Sequence, residues 1–170
     1  LRSSATNSTP ADAAPAGRPK RTACVALATL FGLGRLPGAP GTYGALIGIP
    51  VAVGLRLAGL HWSIEAAIVL ALVAGAVFIT ARAARAFGRL DPREIVLDEF
   101  VSVPVTLFLV PLAVHWYAVG FCLNRLLDIV KPPPIRHLQR LPGGWGIVAD
   151  DVAAAVVANV VLQVLVRLFA

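Results

Sequence analysis

The chain has 170 residues, the size of one domain, and is 58% hydrophobic and only 14% charged. Soluble domains carry about 25% charged residues, so this balance, with a mean hydropathy of +0.79, points to a membrane protein. The net charge of +6 rests on scattered arginines. With no Lys/Arg block interleaved with aromatics, it excludes nucleic acid as a partner and fits cytoplasmic anchoring and anionic headgroups.

Residues 1–21 are rich in Ser, Thr, Ala, Pro and Gly and end in Arg18-Pro19-Lys20-Arg21. They read as a disordered basic tail that places this end in the cytoplasm, ahead of a membrane domain over 22–170. The apolar run after it, 22–31, is too short for a secretory signal and leads into a glycine-rich loop. Cys24 and Cys122 are isolated in apolar context, which suits small buried hydrophobes in a reduced compartment.

Residues 32–44 form a Gly/Pro loop, with Thr42 as the expected N-cap of the apolar segment that follows. Two readings stand side by side: a tight loop that only positions the next helix, or an anion site built from the free N–H groups around Gly41 and Thr42. The glycine spacing matches no nucleotide-binding loop.

Four apolar stretches follow, at about 45–60, 64–81, 100–120 and 152–169. A span needs roughly 20 apolar residues, and each stretch is marginal. Arg82, Arg85 and Arg89 are spaced to line one helical face as snorkelling anchors. Trp62, Trp116 and Tyr117, with His61 and His115 beside them, fall at segment ends and suit an interfacial belt.

Seven of the nine acidic residues lie within 91–151: Asp91, Glu94, Asp98, Glu99, Asp128, Asp150 and Asp151. Asp91-Pro92-Arg93-Glu94 has the form of a capped helix start. Asp98 and Glu99 would then come two turns later, where capping cannot explain them. Pro104 and Pro111 argue against one straight span, and a helical hairpin turning near Pro111 is expected instead. Its arms match: Asp98 to Val110 is about 18 Å of helix and Val114 to Asp128 about 21 Å, which brings Asp128 back level with Asp98 and Glu99.

On the return arm Arg125, Asp128 and Lys131 recur every third residue and can share one side, before Pro132-Pro133-Pro134 ends the helix. A loop carrying Arg136 and Arg140 leads to Gly143-Gly144-Trp145-Gly146. Asp150-Asp151 then open the last apolar helix, where one carboxylate could serve as a dipole cap but two adjacent charges call for a counter-ion. Asp98, Glu99, Asp128, Asp150 and Asp151 are therefore the candidate metal ligands, because buried carboxylates in such numbers need a cation. The fold expected is all-α, a small multihelical membrane-embedded bundle.

From Phe31 to Gln163 the chain resembles the bacterial phosphatidylglycerophosphatase A family. The matching residues are Gly32-Leu33-Gly34 with Pro37-Gly38-Ala39-Pro40-Gly41-Thr42 and Gly44, then Val96-Leu97-Asp98-Glu99, then Arg125-Leu126-Leu127-Asp128-Ile129-Val130-Lys131-Pro132, and Gly143-Gly144-Trp145-Gly146-Ile147 before Asp150-Asp151. Each motif alone is modest; the ordered set is specific. Departures are Ser102 and Ala155, where the family usually has Gly, Pro133 in place of an aromatic, and Asn124 and Leu127 near usual aromatics.

The resemblance implies Mg²⁺-dependent hydrolysis of the terminal phosphomonoester of phosphatidylglycerophosphate, giving phosphatidylglycerol, at the cytoplasmic side of the inner membrane. It implies Asp98, Glu99, Asp128, Arg125 and Lys131 as catalytic residues, with Arg125, Lys131, Gly41 and Thr42 toward phosphate. Membrane lipids are the other partners implied, and oligomeric state is left open. The sequence lacks the motifs of haloacid-type, cysteine-based and acid lipid phosphatases. The alternative from another class is a non-enzymatic cation-binding transporter or assembly subunit. It is opposed by acids at helix ends and by the lack of an internal repeat.

Overall fold

A computed structural model describes residues 22–169; the basic tail lies outside the described residues. Among these, all regular structure is helical: α1 (Ala23–Ala28), α2 (Pro40–Leu57), α3 (Trp62–Phe87), α4 (Leu97–Thr106), α5 (Val114–Val130) and α6 (Gly144–Phe169), with 3-10 turns at Leu30–Arg35 and Ile135–Arg140. The all-α expectation holds. α3 and α6 are each 26 residues and apolar enough to cross a bilayer. Their outward faces carry exposed Leu70, Phe78, Val156, Val160 and Val164, an apolar surface that suits a membrane-associated protein.

The third apolar stretch is the expected hairpin. α4 is about 15 Å long, too short to cross. The chain turns through 107–113, and α5 returns beside it. A helix that ends within the bundle leaves carbonyls that no water satisfies. Asn159 on α6 donates its amide to the carbonyls of Thr106 (2.8 Å) and Phe108 (2.9 Å), and Gln163, one turn on, donates to Phe108 (3.0 Å). These two amides make the hairpin bend tolerable in an apolar setting.

α2 runs alongside α4. A Cβ at Gly44 would strike the Val96 carbonyl, and one at Gly48 the Phe100 carbonyl and Val103. The glycine pair, four residues apart, lets the two backbones approach closely. Below it Ala45, Ala52, Val103, Leu107, Val110 and Leu162 form the core that joins α2, α4, α5 and α6.

Several local expectations are corrected. No helix starts at Asp91. Residues 91–96 form a turn, because Ile95 and Val96 are buried and the Val96 N–H donates to the Ala28 carbonyl (2.9 Å), which keeps the helix from starting before Leu97. Glu94 pairs with Arg89 (2.7 Å) instead of closing a capping box. Arg89 itself lies beyond α3, which Gly88 ends in a left-handed conformation, so the three arginines do not share one helical face.

Thr42 is not an N-cap either: α2 begins two residues earlier, with Pro40 at its first position. Trp116 and Tyr117 belong to the core, at 8% and 6% exposure, where the start of α5 packs under the hairpin bend. Trp62, at the start of α3, is exposed as an interfacial residue should be. Cys122 is exposed on α5, not buried. The last helix begins at Gly144, six residues before Asp150. Gly-Gly-Trp-Gly looks like a helix breaker, yet Gly144 is helical because its missing Cβ lets α6 contact the α3 backbone at Val77 and Ala81.

Candidate active site

Four helix ends converge on one cluster. Asp98 and Glu99 stand in the first turn of α4, Arg125 and Asp128 near the end of α5, and Asp150 and Asp151 in the second turn of α6. Gly41, second residue of α2, backs onto them: a Cβ there would collide with the Glu99 carboxylate and crowd the Arg125 guanidinium. Lys131 caps α5 in a left-handed conformation, φ 41°. For a residue with a Cβ this costs roughly 1–2 kcal/mol. The turn carries its ammonium back to the acids, to Asp150 Oδ2 (2.5 Å), Asp151 Oδ1 (3.1 Å) and Asp128 Oδ1 (3.3 Å).

The shift of helix starts changes the reading of the acids. Asp98 and Glu99 do lie in a first helical turn, where the helix dipole favours a carboxylate by about 0.3–1 kcal/mol. That gain is small beside the burial of two adjacent acids. Asp150 and Asp151 lie well inside α6 and cap nothing, so the capping reading falls for them.

Asp98, Asp128, Asp150 and Asp151 are all buried, with Glu99 partly so. Among the described residues the cations paired with these carboxylates are Arg125 and Lys131, and the charges do not balance. Burial, then the charges of Glu99 and Asp151, push the Asp98 carboxyl well above the ordinary carboxylate range. Burial alone would lower Lys131, but the charges of Asp151, Asp128 and Asp150 and the Asp150 hydrogen bond outweigh it and hold the ammonium well above the usual lysine range. Lys131 is thus a permanent cation, not a proton donor near neutral pH.

Unpaired polar atoms mark what the cluster lacks. Among the described residues, seven buried side-chain polar atoms make no well-aligned hydrogen bond, and five are here: Asp98 Oδ1, Glu99 Oε2, Asp150 Oδ1, and Nε and Nη1 of Arg125, the last ion-paired with Asp128. Such atoms are costly in a folded interior unless something else completes them. Asp98, Glu99 and Asp151 each offer a carboxylate oxygen within 4.8 Å of the others, a spacing one cation can bridge. The donor set, all carboxylate oxygen, fits a hard divalent ion. Arg125 pairs with Asp128 through Nη1 at 2.7 Å, and its Nε is left as an open donor suited to an oxyanion.

All the acids singled out by sequence are therefore gathered, but they divide. Asp98, Glu99 and Asp151 form the three-carboxylate group, while Asp128 and Asp150 face Lys131, and Asp151 belongs to both. Thr42 adjoins through its place one residue after Gly41, in the first turn of α2. Three members were missed. Gln139 donates to Asp150 Oδ2 (2.9 Å) from the 3-10 turn, and nothing in its sequence context marks it. Asn124 and Ser102 form a buried chain behind the site: Asn124 Nδ2 donates to Ser102 Oγ (2.9 Å), Ser102 Oγ to the Glu99 carbonyl (2.8 Å), and Thr106 Oγ1 to Asn124 Oδ1 (3.1 Å). Both are departures from the resemblance noted above, and a shared departure was the available signal.

A helical, membrane-associated fold that buries surplus carboxylates beside an arginine with an open donor suits chemistry on an anionic group at a membrane. The comparisons give the family. A sequence model of phosphatidylglycerophosphatase A matches residues 26–166, and the chain belongs to that family of phosphatases. It is 36% identical to the phosphatidylglycerophosphatase A of Escherichia coli K12, over 80% of this chain and 79% of that protein. It is 38% identical to that of Haemophilus influenzae, over 80% and 84%. A putative phosphatidylinositol-3-phosphatase of Bacteroides thetaiotaomicron is 35% identical over 82% of the chain and 91% of its own length. No solved structure matches the chain. Membership in a phosphatase family sets aside the transporter or assembly-subunit alternative.

Proposed function

We propose that the chain hydrolyses the terminal phosphomonoester of phosphatidylglycerophosphate, giving phosphatidylglycerol and phosphate, at the cytoplasmic face of the bacterial inner membrane. The observation that carries this reading is the unpartnered Arg125 Nε in the same cluster as the three-carboxylate group of Asp98, Glu99 and Asp151. The two relatives named phosphatidylglycerophosphatase A support the substrate.

In this reading Asp98, Glu99 and Asp151 hold Mg²⁺, which supplies Lewis-acid neutralisation of the phosphate charge. Arg125 grips two phosphate oxygens through its fork, and the N–H groups of Gly41 and Thr42, in the open first turn of α2, face the same anion. Lys131 acts as a fixed positive charge on the phosphoryl group as negative charge builds up. Asp150 and Gln139 hold Lys131 in place, and Asp128, between Arg125 and Lys131, is the carboxylate available to orient water and take its proton. The Ser102–Asn124–Thr106 chain fixes the backbone that carries Glu99.

The test is phosphate release by the purified protein from phosphatidylglycerophosphate, with and without Mg²⁺, beside phosphatidylinositol 3-phosphate as a second lipid phosphomonoester. Mg²⁺-dependent release that favours phosphatidylglycerophosphate is expected. Release without divalent cation, or preference for the inositide, would overturn the metal or the substrate assignment respectively.

A further inference from the structure

An apolar groove of about 610 Å³ lies between α2 and α5. Its walls are two stripes at helical spacing, Leu46, Ile49 and Val53 on α2 and Val114, Ala118 and Phe121 on α5. Each stripe leads to the cluster. Thr42 is four residues before Leu46, and Arg125 is four after Phe121, so both continue the same helical faces by one turn. α2 starts at the site and α5 ends there, so the walls run side by side away from the phosphate-binding residues. From Phe121 to Val114 the groove is about 10 Å long.

Among the described residues no charged side chain lines this groove. It opens sideways, because Leu46 and Val114 are 46% and 88% exposed. We infer that it holds one acyl chain of the glycerolipid whose phosphate is cleaved at the cluster. The inference rests on the function proposed above. Headgroup and acyl chains are covalently joined, so a lipid held by its phosphate at Arg125 must lay its chains within a few turns of that residue. The groove is an apolar concavity that begins one turn from it.

The physical role is placement. A chain moving from bilayer to groove exchanges one apolar medium for another and gains little hydrophobic free energy. What the groove contributes is a fixed depth and direction for the headgroup, so that the phosphoryl group meets Arg125 and Lys131 already aligned. Chain length then affects kcat/KM beyond its effect on partitioning.

The experiment compares long-chain and dihexanoyl phosphatidylglycerophosphate as substrates of the full chain in Mg²⁺. Ala118→Trp and Leu46→Trp fill the groove, and Val160→Trp on the outward face of α6 controls for added bulk. The ratio of kcat/KM for long over short chain should fall about tenfold in either groove variant and hold in the control, since misplacing a substrate by an ångström costs up to about a hundredfold. A diazirine in the acyl chain should crosslink wild-type peptides from α2 and α5, and this label should disappear in the groove variants.

An unchanged ratio with the label on other helices overturns the inference. So does a groove variant that alters only the oligomeric state by light scattering, which would make this face an interface between copies. If the wild type hydrolyses neither lipid, the proposed function fails, and the crosslinking pattern alone decides the groove.

Discussion

Among the described residues two regions bury charge, and only one has charge left over. Toward the far ends of α2 and α3, Glu65 is 2% exposed and binds Arg56 at 2.6 Å. One acid meets one base, and the pair is complete. At the other end five carboxylates meet Arg125 and Lys131, and polar atoms of both signs stay unpaired. Burial alone does not distinguish the two, because a buried ion pair is ordinary structure. An unbalanced set persists only where something that joins later balances it, and that is the mark of a site.

The largest expected effect separates the two regions outright. Asp151→Asn should lower phosphate release by on the order of 10³, as loss of a group acting on transition-state charge does. Its thermal stability in metal-free detergent should hold or rise, since the change removes a like charge. Glu65→Gln should do the reverse, keeping activity while losing about 2 kcal/mol of stability through a broken buried charge pair. Matching effects of the two variants on both activity and melting would break the comparison.

A smaller effect sharpens the role of the arginine. Arg125→Lys keeps the charge and loses the fork, and kcat/KM should fall on the order of tenfold to a hundredfold. Arg56→Lys, in a pair that binds no substrate, should leave kcat/KM within about twofold. Equal tolerance at both positions would mean that Arg125 serves only to neutralise Asp128.

The smallest effect lies at the surface. Partial burial would raise the Glu94 carboxyl, but the Arg89 hydrogen bond, a backbone hydrogen bond and the charges of Arg89 and Arg35 outweigh it and hold Glu94 below its ordinary 4.5. A depressed carboxylate stabilises the fold above its unfolded value and loses that contribution as the pH falls through the lower folded value. Glu94→Gln should therefore cost less than about 1 kcal/mol at neutral pH, and the difference should vanish in acid below that value. A constant difference between wild type and variant across that range would remove the ion pair from the account.

Much of this was legible in the sequence, for identifiable reasons. Arm lengths measured from Pro111 placed Asp128 beside Asp98 and Glu99 because helical rise is nearly constant. The acids stood out because the chain has so few. Helix starts were not legible. Asp91-Pro92 carries a good local capping signal, but burial of Ile95 and Val96 overrides it. Gly143-Gly144 carries a good breaker signal, but close packing of α6 on α3 uses the missing side chain. In both places a tertiary contact decided against a local preference. Asn159 and Gln163, two amides one turn apart in an apolar helix, were a readable sign of carbonyls needing partners. Trp116 and Tyr117 show that an aromatic near a segment end can be core when the segment bends back.

The central claim is that the surplus acids form a cation site, and calorimetric titration of the purified full chain with Mg²⁺ tests it most directly. Wild type and Glu65→Gln should show the same saturable binding, and Asp98→Asn should lose it. No saturable binding in wild type, or binding that survives Asp98→Asn, would contradict the account.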